Sequence, residues 1–194
     1  MQQKVSENEF NREYAPLATI QPRAANEFRV TGSIDMCLNL KYSRLHILAK
    51  ITKADKTNID AKAAPINLTL HLMFRKIGVE LNGRNVGDTS QLYPYRSFVE
   101  SLLNYSKETL KTRLMCEGWT KTTTGHVNVT AVDGNNVGLN ARVVNFARNT
   151  PVELIGRPHA DVFHQNRLIP PNVDLNIKLM PFPNNFVCKS AAAA

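Results

Sequence analysis

Cysteine is scarce in this chain. Cys37, Cys116 and Cys188 are the only three in 194 residues, far apart and odd in number. With no CxxC pair among them, they read as reduced, mostly buried thiols and not as a disulfide framework. Long apolar runs are missing too, and the polar N-terminus has no signal-peptide core. The expectation is a soluble, non-secreted protein without a membrane span, whose sequons at Asn67, Asn104 and Asn128 are accidental. No G-x-S-x-G nucleophile turn, no G-x-x-x-x-G-K phosphate loop and no defensible pair of catalytic carboxylates occurs. The sequence therefore predicts no catalytic centre, no cofactor and no enzyme.

Acidic side chains are in short supply: 16 Asp and Glu face 24 Lys and Arg, for a net charge of +8. Such a balance invites a nucleic-acid partner. The excess is dispersed, however, with only short local groups such as Lys50, Lys53 and Lys56 and a balanced stretch over residues 1–25. A mixed, solvated surface is the reading, with weak, non-specific DNA contact as the expected remainder.

What the chain has is a 43% hydrophobic composition and enough length for one domain with a sizeable core. Its organising stretch is 65–106. Ile77, Val79 and Leu81 alternate with Lys76, Gly78 and Glu80, the period of a strand with one buried face. Asn82-Gly83 follows, a tight-turn signal because both residues accept positive φ. Pro94 suits the first turn of a helix. Tyr95, Phe98, Val99, Leu102 and Leu103 then fall on one stripe, which predicts the buried face of that helix. Around this stretch, Phe28 with Val30, Leu45 to Ile51, Leu68 to Phe74, Pro151 to Pro158 and Val173 to Leu179 read as strands, a short helix competing at Leu68 to Phe74. Lys107 to Leu114 reads as a further turn or short helix, and 117–151 as a long polar loop with a short strand at Val127 and Val129.

Several runs carry a resemblance. Leu81-Asn82-Gly83, Tyr93-Pro94-Tyr95-Arg96 and Leu102-Leu103-Asn104-Tyr105 are joined by Glu13-Tyr14, Pro16-Leu17, residues 49–55, Ile155-Gly156-Arg157 and His159-Ala160-Asp161. In collinear order over residues 13–188 they resemble the major capsid protein of Polinton (Maverick) elements, related to the double jelly-roll capsid proteins of adenoviruses and virophages. The resemblance extends over the first half of such a protein and implies its N-terminal jelly roll. The fold class so implied is mainly β, a jelly-roll sandwich with one or two short helices in a loop insertion. The domain reading is an arm over 1–25, the jelly roll over 26–190 and an artefactual alanine tail over 191–194.

The function implied is structural: trimeric, pseudo-hexameric capsomers tiling an icosahedral shell around double-stranded DNA, in a virion assembled inside the host cell. Its partners would be further copies of the chain, with penton and minor capsid proteins. The alternative is a stand-alone single jelly roll binding a sugar or small ligand, as in a host protein descended from an integrated element. The resemblance gives Asn82, Gly83, Tyr93, Pro94, Tyr95, Arg96, Leu102, Leu103, Asn104, Tyr105, Gly156, Arg157, His159 and Asp161 structural roles.

One cluster tempts a chemical reading. His159, Asp161 and His164 are zinc-type ligands, yet along a strand His159 and Asp161 share a face while His164 points away. The sequence therefore assigns no metal site. Arg157 and Asp161 are read as pairing or as satisfying buried backbone groups, and Trp119 with Tyr93, Tyr95 and Tyr105 as core.

Overall fold

In the computed structural model, residues 10–21, 24–53, 63–88, 90–129, 134–146, 150–183 and 187–190 are described. The alanine tail, residues 54–62, residues 130–133 of the predicted long polar loop and parts of the predicted arm lie outside them. The hairpin forms where the alternation and turn chemistry place it. β4 (Phe74–Leu81) and β5 (Arg84–Asp88) run antiparallel. Asn82 and Gly83 between them take φ of 48° and 75°, a conformation that glycine and asparagine adopt at least cost. Asn82 also fastens the turn to a neighbour: its backbone N–H donates to the Asp174 carbonyl, and its side-chain oxygen accepts from the Asp174 N–H at 2.8 Å.

That neighbour is β7 (Leu175–Pro181), which lies between β4 and β1 (Asn26–Val30) in a sheet of order β1-β7-β4-β5. Ile77 pairs with Leu179, Val79 with Ile177 and Leu81 with Leu175, which aligns the apolar residues of both strands on one face. Ile77, Val79, Leu175 and Leu179 are buried there with Phe74, Tyr93 and Phe163. The opposite face is polar, with Lys178 paired to Glu80 at 3.1 Å. Two small sheets accompany this sheet: β2 (Leu45–Ala49) with β6 (Val152–Gly156), and β3 (Ala63–Pro65) with β8 (Cys188–Ser190).

The jelly-roll expectation fails at this level. Among the described residues, helical and strand residues are comparable in number, the largest sheet has four strands, and it is open at β1 and β5. The domain is mixed α/β. Two segments account for much of the difference. Leu68 to Leu72, read as a strand with a short helix competing, takes the helical alternative: it starts in a left-handed turn at Leu68 (φ 55°, ψ 48°) and winds into α1 (Thr69–Leu72). Within 117–151, Val127 to Val129 are in turns, and 137–146 is a helix, α4 (Val137–Phe146). The Asn136 side chain caps α4 by accepting from the Leu139 N–H at 3.2 Å. Leu139, Arg142, Val143 and Phe146 form its buried face.

α2 (Tyr93–Asn104) begins at its proline as expected, and α3 (Lys107–Lys111) follows, capped by Ser106. The buried face of α2 is not the predicted one. Tyr93, Pro94, Ser97 and Ser101 point inward, whereas Tyr95, Val99, Leu102 and Leu103 are exposed and Phe98 is half-buried. The cysteines also differ from expectation: Cys37 and Cys116 are exposed and Cys188 is half-buried.

Candidate buried histidine–carboxylate centre

Turning the small-residue face of α2 inward makes room for polar side chains behind the sheet. α1 supplies His71, fully buried, and the left-handed Leu68 directs the chain into that helix. A leucine in this conformation costs roughly 1–2 kcal/mol, and such outliers gather where a site demands a particular backbone path. Leu68 is held by its own burial beside Leu114 and Trp119 and by an N–H···O bond to the Asn67 side chain at 3.1 Å.

A short 3-10 segment, Arg113–Glu117, carries Glu117 to the same place. His159 arrives from the loop after β6. His71 Nε2 lies 3.0 Å from Glu117 Oε2, and His71 Nδ1 lies 2.8 Å from the Tyr93 hydroxyl. His159 Nδ1 lies 2.8 Å from Glu100 Oε2, and its backbone N–H donates to the Tyr93 oxygen at 3.4 Å. His71, Glu117 and His159 are 0%, 3% and 2% exposed, so their polar atoms depend on one another and not on water.

The charge states follow from these surroundings. Burial, then the neighbouring His71, pushes His159 down to about 4 against the pull of Glu100. Burial would raise Glu100, but hydrogen bonds from His159 and Arg96 together outweigh it and hold that carboxyl below its usual range. At neutral pH His159 is thus a neutral imidazole whose Nδ1–H donates to ionised Glu100, leaving Nε2 with a lone pair. Burial drives the Tyr93 phenol well above its ordinary value, so it stays protonated.

An outer shell continues to the surface. Arg96 donates to Glu100 Oε1 at 2.7 Å and to Asp161, whose carboxyl it holds low. The 3-10 segment Asp161–His164 supplies the turn that an extended reading lacks. It brings the His164 ring to 5.8 Å from that of His159.

Gly156 has its role here. A Cβ on it would stand 2.6 Å from Glu117 Cγ and from Leu70, so only glycine lets Glu117 pack against the end of β6. Among the other resemblance positions, Asn82 and Gly83 make the hairpin, Tyr105 packs near Leu68 and Trp119, and Leu102, Leu103 and Asn104 face outward. Asp161 pairs with Arg96 and not with Arg157, whose buried Nε has no hydrogen-bond partner. Trp119 is core as predicted, tilted against Phe98 at 5.6 Å; Tyr95 is not.

The ligand atoms of His71, Glu117 and His159 all lie within 4.8 Å of one another, and those of Glu100, His159 and His164 do likewise. Two imidazoles and a carboxylate at tetrahedral zinc, with bonds of about 2.0–2.1 Å, stand about 3.3 Å apart. His71 Nε2 and Glu117 Oε2, 3.0 Å apart, already stand near that spacing. The expectation of a chain with no candidate catalytic or metal centre is therefore corrected. Sequence reasoning weighed His159 and His164 but missed His71 and Glu117, because neither lies near another ligand in the chain and His71 sat in an assumed strand.

Comparison with protein-family models, with curated proteins and with solved structures yields no match. Together with the open four-stranded sheet, this leaves the Polinton capsid resemblance unsupported. The functions that it implied, an icosahedral shell of trimeric capsomers or a free single jelly-roll binding module, lose their basis with the fold.

Proposed function

We propose that this chain is a divalent-metal-binding protein whose centre is formed by His71, Glu117 and His159, with zinc the best-matched ion. The observation that carries this reading is the convergence of the three ligand atoms within 4.8 Å, with both rings held through their second nitrogen. Histidine ligands at metal sites ordinarily donate that second N–H to a carboxylate or other oxygen, which fixes the ring and its tautomer. His159 is already in the required tautomer, its proton directed to Glu100. His71 would move its proton to Nδ1, turning Tyr93 from donor to acceptor.

Two histidines and a glutamate leave zinc a fourth position for water, which the ion acidifies. Burial of all three ligands admits water or a small molecule in preference to a large substrate. The reaction class this supports is attack of an activated water on a small electrophile.

Zinc titration of chelator-treated protein by calorimetry, followed by assay of 4-nitrophenyl acetate hydrolysis, tests the reading. One zinc per chain and zinc-dependent turnover are expected, both lost in His71→Gln and His159→Gln. Absence of binding, or binding that both substitutions leave intact, contradicts it.

A further inference from the structure

α4, which packs against β3, presents a cation with no anion among the described residues. Arg142 is 6% exposed; its Nε donates to the Pro65 carbonyl at 2.9 Å and its Nη1 to the Thr120 hydroxyl. Neither partner is charged, and no carboxylate pairs with it among the described residues. Burial alone lowers its pKa, to about 10, so it remains protonated at neutral pH. A buried guanidinium without a counter-ion is costly, and it becomes favourable when a carboxylate or phosphate meets its planar donors.

The same side chain borders a cavity of about 180 Å³, whose walls include Ile66, Leu72, Phe98, Val127 and Leu139. Asn67 and Asn136 add polar groups to its lining. A cavity of about 150 Å³ lined by such side chains accepts one benzene-sized molecule. Apolar walls with few convergent polar groups are the usual make-up of a small-molecule site.

We propose that Arg142 anchors the carboxylate of a small hydrophobic monocarboxylic acid whose ring or short chain fills this cavity. The site is separate from the histidine centre and needs no metal. Phosphorylated or sugar-like ligands fit less well, because the walls are mainly apolar and one guanidinium satisfies one carboxylate in bidentate fashion.

The probes are benzoate and its neutral isostere benzamide, titrated into the full chain with EDTA present so that no metal can take the carboxylate. Binding is read by amide shifts in two-dimensional NMR. Benzoate is expected to bind about tenfold or more tightly than benzamide, the loss that follows when a buried charge goes unmatched. Shifts should centre on residues 66–67, 127–129 and 136–142. Arg142→Gln should remove the preference for benzoate over benzamide. Equal affinity for the two probes, shifts elsewhere, or no binding overturns the proposal. The comparison of probes on the unaltered chain decides the matter even where Arg142→Gln does not fold.

Discussion

His71 and His159 stand edge to face, their ring centroids 4.6 Å apart, although one lies on a four-residue helix and the other in a loop beyond β6. Two imidazoles this close and this buried cannot both carry charge without large cost. The pair is stable because Tyr93 and Glu117 occupy the nitrogens of His71 and Glu100 holds His159. Glu117 at the far end of this chain of contacts completes the metal-ligand set.

Acid should weaken the fold through His159. Its folded pKa, about 4, lies below the ordinary 6.5, so the unfolded chain binds more protons between those values. Its contribution is complete above pH 6.5 and is lost as pH falls towards 4, at up to about 1.4 kcal/mol per pH unit. Urea midpoints of chelator-treated protein should fall across that window, and His159→Gln should flatten the slope. A midpoint constant from pH 6.5 to 5 refutes the assignment.

Gly156→Ala should disturb the centre without touching a ligand, because the new methyl would collide with Glu117 Cγ and Leu70. Overpacking of this kind costs about 1–3 kcal/mol. Calorimetry should show weakened zinc binding alongside the lowered thermal midpoint. Unchanged zinc affinity means that Glu117 is not a ligand.

Tyr93→Phe keeps the ring in the core and removes the hydroxyl that serves His71 and the His159 N–H. The expected loss is about 1–3 kcal/mol of stability, from polar groups left unpaired. Zinc affinity should drop about 10–100-fold, the usual effect of deleting a group that orients a ligand. Stability measured without metal separates the two effects.

The exposed face of α2 gives a further check, with buried Leu114 of the 3-10 segment Arg113–Glu117 as the comparison. Leu103 is 78% exposed, so Leu103→Ala should change stability by no more than about 0.5 kcal/mol. Leu114, fully buried against Leu68 and Trp119, should cost about 2–5 kcal/mol when cut to alanine. Denaturant unfolding of both variants compares them directly; a large loss at Leu103 would reverse the face.

The hairpin, the pairing strand at 175–181 and the start of α2 were legible because alternation, Asn-Gly and proline act locally. The helix face was not. Periodicity locates apolar residues, but here Ser97 and Ser101 bring α2 close to its neighbours, and the space holds a polar network in place of apolar packing. α4 was hidden by Val137, Gly138, Val143 and Val144, residues of low helix propensity, although Leu139, Val143 and Phe146 keep helical spacing. The centre was least legible of all. Its ligands come from three separate segments, and only the fold sets them side by side.

X-ray absorption at the zinc edge, on protein loaded with one equivalent of zinc, tests the central claim most directly. The account predicts a first shell of nitrogen and oxygen at about 2.0–2.1 Å with two imidazole signatures and no sulfur. A sulfur shell at about 2.3 Å, which would place the ion on a cysteine, or a purely aquated ion without imidazole scattering contradicts it.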